Sequence, residues 1–170
     1  MQLSGVVREL YVPLADYPHV RDSATVRDVF ATLQEKYSSA EQFRSVLVID
    51  SHGRLVGMLG LRDMLHGLLP DYLRQSPTHF QGMGDDVTSL AMLWQEDCAD
   101  LCRQASLGPV GPHVTAIKGS LHLDDPLAKG IYMMATTAAN ILPVVEDHKV
   151  IGVLRLVDVV TEVTKAVLHG

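Results

Sequence analysis

The feature that most constrains this chain is an internal repeat. The run Ser45-Val46-Leu47-Val48-Ile49-Asp50 is β-branched and apolar, as a well-buried strand should be. A turn at Ser51-His52-Gly53 leads to Arg54-Leu55-Val56-Gly57-Met58-Leu59, so the two runs read as a hairpin. Leu61 to Leu69 reads as a helix that Pro70 ends. The same order returns later. Ile141 to Val145 is a strand, Glu146 to Lys149 a polar turn and Val150 to Leu154 the returning strand. A closing helix runs from Leu156 to Leu168, with Val159, Val160, Val163 and Val167 at helical spacing. Gly57 matches Gly152 and Asp63 matches Asp158, each pair 95 residues apart. From Leu47 to Gly57 is ten positions and from the matching Pro143 to Gly152 is nine, so the second hairpin is one residue shorter across its turn, where such differences are tolerated best.

Each hairpin follows a helix and a short extended piece. In the first copy Val26, Val29, Phe30 and Leu33 share a helix face. In the second, Pro126 opens a helix after Asp124-Asp125, and Leu127, Ile131 and Met134 make the face. The extended pieces lie around His19-Val20 and Ser120-Leu121. Each copy then runs β-α-β-β-α, and neither is expected to bury its sheet alone. The fold class is therefore α/β (α+β): two such units packed as a pseudo-symmetric pair, with a helical insertion between them. The expected boundaries are 1–74 for the first unit, 75–112 for the insertion and 113–170 for the second unit.

The insertion holds Pro77, Gly82 and Gly84, then a helix starting near Asp86. Leu90, Leu93, Trp94, Cys98, Leu101 and Cys102 form one apolar stripe on that helix. The stripe either packs on the paired units or offers a surface to a partner or over a cleft. Tryptophan fits both, being favoured in cores and at binding hot spots. Gly108-Pro109-Val110-Gly111-Pro112 reads as a loop or hinge.

Composition narrows the function. With 47% hydrophobic and 20% charged residues, the chain can bury a core. A net charge of -6 argues against DNA or RNA, whose phosphates call for a basic face. Arg8, Glu9 and Asp16 interrupt any apolar leader, and no run approaches the roughly 20 apolar residues of a membrane helix. Cys98 and Cys102, four apart, fit a reducing compartment, so the expected location is cytoplasmic. The histidines are scattered without compact metal-site spacing. Neither a nucleophile elbow nor a Walker-type loop is present, and the chain reads as a non-enzyme that requires no cofactor.

The strand containing Pro143, the turn, the run Val150-Ile151-Gly152-Val153-Leu154 and then Asp158 together resemble the signature of CBS (cystathionine-β-synthase type) domains. The first copy repeats the pattern with Leu47 at the proline position. The resemblance spans roughly residues 5–74 and 113–168. It implies a regulatory module that forms a homodimer and binds an adenosyl ligand (AMP, ADP, ATP or S-adenosylmethionine) in the cleft between units. The alternative is a non-catalytic interaction scaffold with degenerate clefts. The regulated protein is not named by the sequence.

The family pattern behind such a site is Gly, two apolar residues, Ser or Thr, two variable residues and Asp. By the resemblance the Asp accepts from ribose hydroxyls and the Ser or Thr positions a phosphate. The copies here read Gly57-Met58-Leu59-Gly60-Leu61-Arg62-Asp63 and Gly152-Val153-Leu154-Arg155-Leu156-Val157-Asp158. Both aspartates are kept, while Gly60 and Arg155 replace the hydroxyl residues. An Asp in the first turn of a helix is also favoured by the macrodipole with no ligand at all. Gly60 is an acceptable N-cap, whereas Arg155 places a positive charge at a helix start, where it is unfavourable unless it meets an anion. Arg155 is accordingly expected either to contact a ligand phosphate or partner carboxylate, or to lie solvated on the surface. Arg44 and Asn140 precede the two hairpins at matching places and complete the candidate ligand-binding set.

Overall fold

The computed structural model describes residues 5–37, 43–69 and 98–169. In chain order its elements are β1 (Val12–Pro13), β2 (His19–Arg21), α1 (Val26–Tyr37), β3 (Ser45–Ile49), β4 (Leu55–Gly60), α2 (Leu61–Gly67) and α3 (Cys98–Ser106). They continue with α4 (Leu127–Thr137), β5 (Ile141–Glu146), β6 (Lys149–Arg155) and α5 (Leu156–His169). Short 3-10 turns occupy Val7–Glu9, Leu14–Asp16 and Gly111–His113.

The two apolar runs form hairpins of one register. Val48 pairs with Gly57 and Val144 with Gly152, and each ladder shifts at the next residue of its first strand. All five residues of β3 are buried, because this central strand is covered on both faces. The extended pieces take equivalent places beside the hairpins. β2 runs parallel to β3 with Val20 opposite Val48, and Leu121 bridges Val144 in parallel.

The outer strands are exchanged. β1 leads into the first unit but pairs antiparallel with β6 of the second, Val12 opposite Val153 and Pro13 opposite Gly152. Thr115, on the way into the second unit, pairs with Met58 of the first through two backbone bonds of 2.9 Å each. This crossing explains the glycines that mark the repeat. A Cβ on Gly57 would stand 2.4 Å from the Thr115 carbonyl oxygen, and one on Gly152 would stand 2.3 Å from that of Val12. Only glycine lets the backbones approach so closely.

Further backbone bonds fasten each leading segment to the other unit. The Val7 N–H donates to Asp125 at 2.9 Å, and the Leu127 N–H donates to Gly5 at 2.9 Å. The Val26 N–H donates to Gly108 at 3.0 Å, and the Val110 N–H donates to Ala24 at 3.1 Å. The Gly108–Pro112 run is thus a loop pinned against the start of α1, with Val110 fully buried.

One core cluster combines Val46, Leu47 and Leu59 with Ile141, Val150 and Val153, so it spans both units. A second joins Val7 from the N-terminal segment to Leu121, Leu142, Leu154 and Val159. The α1 face is buried at Val26, Val29 and Leu33, and the α4 face at Leu127 and Met134. On α5 the sequence stripe is wider than the core it meets. Val159 is buried, whereas Val160 and Val167 are 52% and 72% exposed. α3 packs against α1, with Cys98, Leu101 and Cys102 half-buried. The expected helix start near Asp86, the stripe residues Leu90, Leu93 and Trp94, and the breakers Pro70, Pro77, Gly82 and Gly84 lie outside the described residues. Among the described residues no helix is long and apolar enough to cross a membrane.

Candidate ligand clefts

Each hairpin delivers its returning strand into a helix, and the candidate residues gather at those two junctions. At the first, Gly60 ends β4 with extended backbone and caps α2. Having no side chain to cap with, it relies on the residue three positions on. The Gly60 N–H donates to Asp63 Oδ2 at 2.8 Å, half of a capping box. The Thr115 hydroxyl, carried in on the exchanged strand, stands 3.5 Å from both carboxylate oxygens. Asp63 is half-buried, and no ion pair ties it to a described cation. Arg44 is exposed and immediately precedes Ser45, the residue opposite Gly60.

The second junction has the same backbone and different chemistry. Arg155 ends β6 opposite Ile141, and α5 starts at the next residue. Its Nε donates to Asp158 Oδ2 at 2.5 Å and its Nη2 donates to Oδ1 at 2.9 Å. The side chains are only 17% and 23% exposed. The positive charge that looked misplaced at a helix start therefore meets an anion within its own first turn, and Arg155 is not a solvated surface side chain. Asn140 is exposed, and its carbonyl accepts the Leu156 N–H at 2.8 Å.

Beside the first junction stands Tyr17, which sequence reasoning did not single out. Tyr17 is buried, and its hydroxyl lies 2.6 Å from the Ser45 hydroxyl. Burial pushes the phenol pKa up, against the opposing pull of the Ser45 hydrogen bond and the Arg155 charge. Thr115 was missed as well. Its role depends on the strand exchange, for which a single sequence carries no local signal.

Two open grooves are lined by neither Asp63 nor Asp158. One runs between α1 and α2 along Phe30, Leu61 and Leu65, and the other passes the hairpin turns at Arg54, Ile117, Ser120 and His148. Among the described residues no three His, Cys, Asp or Glu side chains gather as a metal site.

Residues 7–70 and 118–165 match the CBS domain family. The chain belongs to the CBS-domain family. CBS domains are regulatory modules and not catalysts, and this chain holds a pair of them. Nothing among curated proteins matches it. Among solved structures, the cytosolic domain of the Mg2+ channel MgtE in complex with ATP is 21% identical with a TM-score of 0.63. That alignment covers 92% of this chain and 48% of the other, so this CBS pair spans about half of that relative. CBSX2 in complex with AMP is 21% identical, with a TM-score of 0.61 and coverage of 95% and 97%. The CBS domain of a membrane protein from Sphaerobacter thermophilus is 19% identical, with a TM-score of 0.67 and coverage of 93% and 87%. Likeness at this identity establishes the CBS-pair fold.

Proposed function

We propose that this CBS pair is a regulatory module that senses an adenine nucleotide or related adenosyl ligand at the Asp63 junction. The observation that carries the reading is the state of the Asp63 carboxylate. Among the described residues, one oxygen caps Gly60 while the other meets only the Thr115 hydroxyl, at 3.5 Å. A half-buried carboxylate with acceptor positions to spare suits two vicinal ribose hydroxyls. The exposed Arg44 beside this junction would face the phosphates, with Asn140 as its counterpart in the second copy. The ATP and AMP complexes of two relatives on the same fold support the ligand class. Regulation follows only if the ligand prefers one of two arrangements of the units or of a dimer.

The module is taken to be cytoplasmic, to need no resident cofactor and to act on a separate regulated protein. It is taken to form a homodimer through the helical faces, where Leu65 is 63% and Val160 52% exposed at matching positions. These apolar faces also favour the second reading, an interaction scaffold with idle clefts.

A thermal-shift panel with AMP, ADP, ATP, S-adenosylmethionine and NAD tests the sensing role. A ligand at 100 times its Kd should stabilise the fold by about 2.7 kcal/mol. Asp63→Ala should abolish the shift. A flat response across the panel, repeated by calorimetry, leaves the scaffold reading.

A further inference from the structure

We propose that the second cleft is closed by the chain's own Arg155, so that each chain offers one ligand position and not two. The inference rests on the adenosyl-sensing reading for the identity of the probe, and otherwise on the contrast between the junctions. A ribose diol needs free acceptor positions on a carboxylate. Both oxygens of Asp158 already accept from one guanidinium, at 2.5 and 2.9 Å, which takes one lone pair on each and neutralises the charge that would draw a diol. The fork matches the carboxylate in a two-point, charge-assisted geometry, among the stronger side-chain pairings. The pair is also largely screened from water, at 17% and 23% exposure.

Local structure holds the plug in place. Arg155 is fixed opposite Ile141 by the last rung of the β5–β6 ladder, and Asp158 sits in the first turn of α5. Rotating the arginine away would strand its charge at the positive end of a helix and leave the aspartate unpaired. The guanidinium also occupies the residue position where the family pattern carries the hydroxyl that receives phosphate. At the first junction the matching residue is Gly60, which has no side chain to place there. A ligand at the second junction would have to displace a two-bond ion pair, which weakens binding there on the order of 100-fold.

The test counts binding events per chain by isothermal calorimetry with AMP as the probe. Wild type should bind one. Arg155→Thr, which restores a good helix cap, should bind two, and Arg155→Thr/Asp158→Ala should fall back to one. Arg155→Gly copies the first junction and serves as the second opening variant. If neither opening variant gains an event over wild type, the plug is wrong. Two equal events in wild type would also overturn it. If wild type binds none but Arg155→Thr gains one that Asp158→Ala removes, the Asp63 reading fails while the plug stands.

Discussion

The two junctions at Asp63 and Asp158 share a backbone and differ in what the carboxylate is asked to do. Both follow a glycine that admits an exchanged strand, and both put an aspartate three residues after the strand ends. At the first, the aspartate compensates for a cap without a side chain. At the second, it compensates for a cap with the wrong charge. A duplicated fold can thus keep its geometry while a single residue, glycine or arginine, decides whether a carboxylate meets a backbone N–H or a guanidinium.

The largest expected effect concerns what the copies share. Gly57→Ala and Gly152→Ala each drive a Cβ into a carbonyl oxygen, at 2.4 and 2.3 Å. Each should cost about 3 kcal/mol from overpacking and a weakened strand exchange, read by urea denaturation. The two costs should agree within about 1 kcal/mol if the copies are structurally equivalent. A clear inequality would mean that one exchanged strand matters more than the other.

The next effect separates the copies. Arg155→Ala strands a half-buried carboxylate and should cost about 1–2 kcal/mol, between the values for exposed and buried ion pairs. Asp63→Ala loses one cap bond and should cost about 1 kcal/mol. Adding salt should narrow the gap, because only the Arg155–Asp158 interaction is an ion pair. Equal losses that ignore salt would break the contrast between the junctions.

The frame the two junctions share was legible beforehand, for physical reasons. Val46–Ile49 and Ile141–Val145 carry enough β-branched burial to fix the hairpins, and Pro126 marks the start of α4. The hydroxyl missing at Gly60 and Arg155 was visible once the copies were set against the CBS family pattern. The partner of Arg155 lay only three residues away, within helical reach, yet a ligand anion answers the same electrostatic need. The exchange of β1 and the Thr115 segment was not legible. Residues 12 and 153 meet only through the packing of both units, and a two-residue strand has no period to read. Likewise the apolar width of α5 is plain in sequence, but which part the core covers is set by the end of the sheet beneath it.

Tyr17 offers a smaller effect, confined to the first junction. Tyr17→Phe should cost about 1 kcal/mol by removing the bond to the buried Ser45 hydroxyl. Its pH dependence has a definite sign. Burial raises the folded phenol pKa above its ordinary value near 10, so the neutral form is favoured in the folded state. The stabilisation is fully present below the unfolded pKa and is lost as pH rises through the folded one. Thermal melts of wild type should therefore fall more steeply above about pH 10 than those of Tyr17→Phe. Parallel alkaline limbs would remove Tyr17 from the linkage.

The smallest effect lies in the turns, where the copies differ in length. The first turn places Gly53 at φ 80, and the Asp50 carboxylate accepts from the His52 and Arg54 N–H groups at 2.8 and 2.9 Å. The shorter second turn forces two ordinary residues into the left-handed region, Asp147 at φ 49 and His148 at φ 64. That geometry suits a two-residue hairpin loop, for which Asp-Gly is among the preferred sequences. His148→Gly should consequently stabilise the protein by about 0.5 kcal/mol, the relief of left-handed strain outweighing the added freedom of the unfolded chain. Gly53→Ala should destabilise it by about 1 kcal/mol, since the same backbone region is now denied to the side chain. Opposite signs in chemical denaturation would establish that the one-residue difference between the copies is absorbed as strain in the second turn. Two losses of equal size would instead mean that His148 makes up its strain through contacts of its own.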